Sequence, residues 1–263
     1  MGRFRWLEMG SQGPQAGTGQ PPRAGRDMDE ETCLATANEC LRQGRFETAL
    51  QWYSRALRYA IDLEEAWVGQ VQCLLGLGEN AEANIWADRG LERFPNSADL
   101  LAEKAMALGR TRGAEKAMAY SDASLSVKGE SVGPYPWIVR GDLLLNGDGE
   151  RENAKRCFNK AIELAGRDWY THYLIGQSYL SSGMPEEALL LFSEAASLER
   201  NCSVALCAMA QCHESMGEFA RAAAACRRAL AADPRCKEAR GMLAALEHTG
   251  PLRRLWRRIR GRA

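Results

Sequence analysis

The stretch His172–Ala195 reads HYLIGQSYLSSGMPEEALLLFSEA. Gly183 divides it. Before that glycine, Gly176 stands midway along an apolar run, a small residue where another helix can come close. After it, Ala188, Phe192 and Ala195 fall at i, i+4 and i+7, one face of an α-helix. Glycine tolerates the positive φ that a tight interhelical turn requires, so the stretch predicts helix, turn, helix.

Working outward, the same phase recurs along the chain. Ala49, Ala83, Ala117, Ala154, Ala188 and Ala222 follow at spacings of 34, 34, 37, 34 and 34. Five residues before the alanine stands Gly44, Gly78, Gly149, Gly183 or Gly217; only the third unit departs, with Arg112 there and Gly113 beside it. Four residues after the alanine come Tyr53, Ala87, Ser121, Phe158, Phe192 and Cys226, and seven after it the small residues Ala56, Gly90, Ser124, Ala161, Ala195 and Ala229. Cys33, Trp67, Leu101, Trp137, His172 and Leu206 share one place in the first helices, and Gly141, like Gly176, supplies a small crossing residue. Pro95 and Pro234 stop two of the second helices.

A 34-residue period of this kind marks stacked helical hairpins. The chain resembles the tetratricopeptide repeat family on these residues, most clearly at His172, Gly176, Tyr179, Gly183, Ala188, Phe192 and Ala195. The resemblance runs from about Glu30 to Cys236. It implies an all-α, right-handed superhelical solenoid of five to six units. Their expected bounds are 30–63, 64–97, 98–130, 131–168, 169–202 and 203–236. A capping helix over 237–249 completes the 30–250 solenoid, with Arg240 and Glu247 outward and Met242, Leu243 and Leu246 inward. Such a helix is needed because the last hairpin would otherwise expose its apolar face. The 37-residue step places extra residues in the turn-rich stretches 129–134 and 146–149, and the first of these reads as a mild hinge between two three-repeat blocks.

Composition agrees with a globular chain and excludes a polytopic membrane protein. Its 263 residues are 46% hydrophobic, and 34 basic side chains balance 34 acidic ones. The longest unbroken apolar run, Val204–Ala210, is far short of the ~20 residues of a membrane span. Residues 1–29 are rich in Gly and Pro and predict disorder; Met1, Met9 and Met28 are each possible starts, and no export signal is visible. Nine cysteines without C-x-x-C spacing read as buried small hydrophobes whose free thiols suit a reducing, cytoplasmic setting.

Nothing in the sequence carries catalytic chemistry. There is no G-x-S-x-G, Walker loop, H-E-x-x-H or spaced Cys/His set, so no catalytic residue, metal, cofactor or small-molecule substrate is expected. His172 and His213 read as packing residues. The resemblance instead implies a concave groove lined by the first helices. Its first half would present Glu31, Asn38, Glu65, Gln72, Asp99 and Glu103, which opposes nucleic acid. The acids at 99 and 103, with Leu34 and Gly69, also depart from the family's basic clamp for a C-terminal carboxylate. The second half would present Tyr135, Ile138, Asp142, Tyr170, Tyr173, Gln177, Cys207 and Gln211. Those aromatics either recognise a peptide or only pack the inner wall.

The segment 251–263 is separate in character. Leu252, Leu255, Trp256 and Ile259 share one helical face, and Arg253, Arg254, Arg257, Arg258 and Arg260 cover the rest. A basic amphipathic tail suits an anionic membrane surface, the protein's own acidic groove, or solvent. The expected function is a non-enzymatic scaffold binding a protein or peptide segment. The alternative is a membrane-associated assembly factor, peripheral to the bilayer and docked through Arg253, Arg254, Trp256, Arg257 and Arg258.

Overall fold

The computed structural model describes residues 29–111, 113–127, 132–147 and 150–248. The glycine-rich start, Gly149 and the basic tail lie outside them. Among the described residues there are thirteen α-helices and no strand. They fall into two compact units, 1–130 and 131–263, divided within the 129–134 stretch.

The first unit holds α1 (Glu30–Arg42), α2 (Phe46–Tyr59), α3 (Glu64–Gly76), α4 (Asn80–Arg93), α5 (Ala98–Gly109) and α6 (Ala114–Leu125). The second holds α7 (Pro134–Asn146), α8 (Arg151–Ala165), α9 (Trp169–Ser181), α10 (Pro185–Leu198), α11 (Ser203–Ser215), α12 (Phe219–Ala232) and α13 (Lys237–His248). Each odd helix up to α11 pairs with the even one after it. Within the first unit α1 touches α3 and α3 touches α5, and within the second α7 touches α9 and α9 touches α11, so in each unit the first helices of successive hairpins lie side by side.

Local chemistry sets the helix ends. Asp29, Ser97 and Asp168 cap α1, α5 and α9 by accepting the backbone N–H three residues on, at 2.8, 3.1 and 3.1 Å. Pro134 and Pro185 open α7 and α10, where a missing N–H costs nothing. Gly44, Gly78, Gly183 and Gly217 turn the chain with φ between 69° and 77°. After each, the next N–H reaches the carbonyl five residues back: Arg45 to Cys40, Glu79 to Leu74, Met184 to Tyr179 and Glu218 to His213. That is a Schellman closure, and it needs the left-handed residue. The third hairpin closes differently. Gly113 has φ −105° and its N–H meets the Leu108 carbonyl at 3.3 Å.

Packing follows the repeat register. All six anchor alanines are fully buried, and so are Ala56, Ser124, Ala161, Ala195 and Ala229 seven residues on. Phe158 and Phe192 lie against Gly141 and Gly176 of their own hairpins; a Cβ at those glycines would fall 2.3 and 2.6 Å from ring carbons. Tyr53 instead lies against Gly69 at the start of the next hairpin. Burying rings of this size contributes roughly 2–3 kcal/mol each. His172 is buried with Nδ1 3.1 Å from the Asp168 carbonyl, and the half-buried His213 ring joins the Glu218 carboxylate at 2.7 Å; both hold local structure together. Helix α13 covers the last hairpin. Ala239 and Leu246 are buried, Met242 and Leu243 pack beside them, and Arg240 and Glu247 point outward.

Candidate functional site: the odd-helix face of the second unit

Helix α9 opens with adjacent aromatics, Trp169 and Tyr170, followed by Tyr173 one turn on. Helical spacing puts 170 and 173 on the same side, and their rings stack at 5.9 Å with an interplanar angle of 17°. Trp169 meets both edge-on, at 5.4 and 6.3 Å. Tyr173 then leans inward and packs on Phe192 at 5.7 Å. The result is a staircase of three partly exposed rings whose lowest step is rooted in the core.

The polar groups around the staircase come from three successive odd helices. Gln177 stands one helical turn on from Tyr173, near enough to act on its phenol. Burial, then the Glu238 carboxylate on α13, pushes that phenol far above the usual tyrosine range, so Tyr173 stays a neutral hydrogen-bonding group at any ordinary pH. Gln211 on α11 donates to Glu238 at 3.0 Å. Aromatic area, two amides and one carboxylate thus gather on the face built by α9, α11 and α13.

The other expected groove residues are placed differently. Ile138 is 2% exposed and belongs to the core cluster with Phe158 and Ile175, so it offers no surface. Asp142 is 8% exposed, and Cys207 is buried. The cause is the same in each case: on a helix flanked by two others, the surface-facing stripe is narrower than one turn's worth of residues. Tyr135, at the start of α7, is partly exposed. Trp169 and Glu238 were not among the expected residues. The Trp-Tyr doublet at the head of α9 was the available signal for the first. Glu238 sits on the helix read only as a cap.

The first unit is acidic on its odd helices, with Glu31 and Glu65 exposed and Asn38, Gln72 and Asp99 half-buried. The Tyr53 hydroxyl donates to Asn38 Oδ1 at 2.6 Å, and Asn38 Nδ2 donates to Glu65 Oε1 at 2.7 Å. Burial and then Glu64 push the Asp99 carboxyl above its usual range. Glu103 is not in a groove at all. It is fully buried on α5, and after burial itself it is the next cause raising the Cys73 thiol. The depression of about 560 Å³ bounded by Asp88, Leu91, Pro95 and Tyr120 is lined chiefly from α4, α6 and the α4–α5 loop. No group of three or more His, Cys, Asp or Glu able to hold a metal occurs among the described residues, and none of their helices is long and apolar enough to cross a membrane.

Helical hairpins stacked in this register define a class, the α-helical repeat solenoids. Within that class, two sequence profiles of the tetratricopeptide repeat match residues 34–98 and 147–246, and the chain belongs to the tetratricopeptide repeat family. No curated protein matches at a significant level. Solved structures match widely. A tetratricopeptide repeat protein from Parabacteroides merdae aligns at 18% identity and TM-score 0.53, over 83% of this chain and 84% of that one. A monomeric IFIT1 mutant with Gppp-AAAA aligns at 12% and 0.59, over 91% of this chain and 60% of that one. A chain of the APC/C Cut9–Hcn1 hetero-tetramer aligns at 17% and 0.50, over 83% and 43%. This chain therefore spans less than two thirds of the length of two of these relatives. At such identities the likeness establishes the fold. Arrays of this family are in general scaffolds for protein–protein interaction rather than enzymes.

Proposed function

We propose that the chain is a non-catalytic adaptor whose α9–α11–α13 face binds a segment of a partner protein. The observation that carries this reading is the aromatic staircase of Trp169, Tyr170 and Tyr173 with Gln177, Gln211 and Glu238 beside it. Stacked aromatics give rigid contact area at low entropic cost, and the amides fix the register of a bound chain. A segment with apolar or aromatic anchors and neutral or basic flanks suits the carboxylate of Glu238. Cofactors and small-molecule substrates have no part in this reading. Glu31, Glu65 and Asp99 stand on the first unit's odd helices where a phosphate-tracking surface would need Lys or Arg, which argues against nucleic acid.

Peptides selected against the full chain from a displayed library test the proposal. Tyr170→Ala should weaken them by about 30-fold or more, the size of a ~2 kcal/mol hot spot, without moving the melting midpoint. Leu190→Ala, on the exposed side of α10, should leave affinity unchanged. Equal affinity in Tyr170→Ala and Gln177→Ala would place binding elsewhere.

A second reading rests on the amphipathic pattern of 252–260, a docking element for anionic membrane in an assembly factor. Each basic residue there would contribute ~1 kcal/mol at low salt. Full-length protein should float with anionic vesicles, and protein ending at Thr249 should not. Equal behaviour of the two removes this reading.

A further inference from the structure

Cys207 and Cys236 face each other with their sulfurs 3.4 Å apart. Cys207 lies in the middle of α11, buried in a small cluster with Leu206, Ala229 and Ala239. Cys236 lies in the turn directly before α13 and is partly open to solvent. The other seven cysteines are buried. A disulfide needs its sulfurs at about 2.05 Å, so closure asks for a movement of about 1.4 Å. Cys236 sits in a short turn at the surface, where a side-chain rotation and a small backbone shift can supply it.

We propose that Cys207 and Cys236 are a dithiol modification site, converted to an intramolecular disulfide by a low-molecular-weight disulfide of the glutathione type. In the first step Cys236, the sulfur that solvent reaches, attacks one sulfur of the reagent. One small thiolate leaves, takes up the proton that Cys236 gave up, and a mixed disulfide remains on Cys236. In the second step the Cys207 sulfur attacks the Cys236 sulfur and expels the second small thiolate, which takes the Cys207 proton. Two protein thiols are oxidised and one small disulfide is reduced to two thiols, so atoms and electrons balance. Burial, then the Cys236 sulfur beside it, raises the Cys207 thiol, so Cys236 is the thiol that meets the reagent first.

The bond would span α12 and pin the start of α13 to α11. Residue 211 follows 207 by one helical turn and residue 238 follows 236 by two positions, so the bond runs beside the Gln211–Glu238 hydrogen bond and fixes the same two segments. The cap would be covalently latched to the hairpin it covers.

Full-length protein, fully reduced and then equilibrated in oxidised and reduced glutathione buffers, tests the inference. Intact mass should fall by two hydrogens, non-reducing peptide maps should join the peptide of Cys207 to that of Cys236, and reductant should reverse both. The oxidised chain should melt about 5 °C or more higher, as expected when a loop of this length is closed. Cys236→Ser should abolish the change. Cys207→Ala, a mild substitution at a buried helical position, should stop at one glutathione held on Cys236. A glutathione that persists on Cys236 in the unmutated chain, a disulfide between other cysteines, or no reaction at Cys236 would each overturn the inference.

Discussion

Adding one methyl group at residue 69 should destabilise the first unit, although alanine is the better helix former. In a free helix Gly→Ala is favourable by about 1 kcal/mol. Here the new Cβ would lie 2.1 Å from Tyr53 Cζ and 2.5 Å from Cε1 and Cε2, where carbon atoms sit comfortably at ~3.5–4.0 Å. The Tyr53 ring has little freedom to retreat. It is 1% exposed, and its hydroxyl is held by Asn38 at 2.6 Å. Helix α3 cannot withdraw either, because Val71, Cys73 and Leu74 on it are fully buried. Overpacking of this kind costs about 1–3 kcal/mol, so the propensity gain is outweighed at most of that range. Gly69→Ala should therefore lower the thermal midpoint by roughly 2–6 °C. Gly241→Ala is the control with the opposite sign. Its Cβ meets nothing within 4 Å on α13, so only the propensity term remains and the midpoint should rise. In a Tyr53→Leu background the Gly69→Ala penalty should shrink by at least ~1 kcal/mol. If Gly69→Ala stabilises as Gly241→Ala does, or the penalty survives removal of the ring, the close approach of α3 to Tyr53 is wrong.

Two further outcomes bear on packing and charge. Ala188→Trp should destabilise by ~1–3 kcal/mol or more, because Ala188 is fully buried beside Phe192, whereas Glu186→Lys at an exposed site on the same helix should stay within about 0.5 kcal/mol; equal melting curves would refute the register. The Asp99 carboxyl is raised in the fold, first by burial and then by Glu64, so the native state holds its proton more tightly than the unfolded chain. Stability from this group is present below its ordinary value of 3.8 and is lost as pH rises through the folded value, so Asp99→Asn should stabilise at pH 7 and not at pH 3 in urea titrations.

Most of the fold was legible because repeats multiply weak signals. One alanine or one glycine says little, but Ala49 to Ala222 in phase fixes the hairpins, and Gly44, Gly78, Gly183 and Gly217 all take the left-handed turn that the phase demands. The first helices were harder to read. Their residues face a hairpin partner on one side and the neighbouring hairpins on both flanks. Leu100 is therefore buried while Leu101, in register with Trp67, is half-exposed. The same crowding put Ile138, Asp142 and Glu103 inside, since period alone cannot tell a groove-facing residue from one turned towards the next helix. Tyr170 and Tyr173 do stack on each other, but against Trp169 and Phe192, neighbours that their spacing alone does not specify.

Helix α13 ties stability to recognition in the second unit. Its inner side, Ala239 and Leu246 with Met242 and Leu243, covers the apolar face of the last hairpin. Its first turn brings Glu238 to Gln211 and into the electrostatic field of the Tyr173 phenol. The helix that ends the core therefore also forms one edge of the aromatic face, through a different residue. Opening of α13 costs less than opening of an inner helix, since among the described residues it packs against one hairpin, α11–α12, and an inner helix packs against two. Such opening would withdraw the carboxylate from the face before any hairpin came apart. A partner that contacts Glu238 must then favour the closed cap, and it would raise the stability of the second unit by its own binding free energy. The reverse also holds. Any bond that secures the segment around Cys236 removes the open state with which such a partner competes, and so strengthens binding without touching the partner itself.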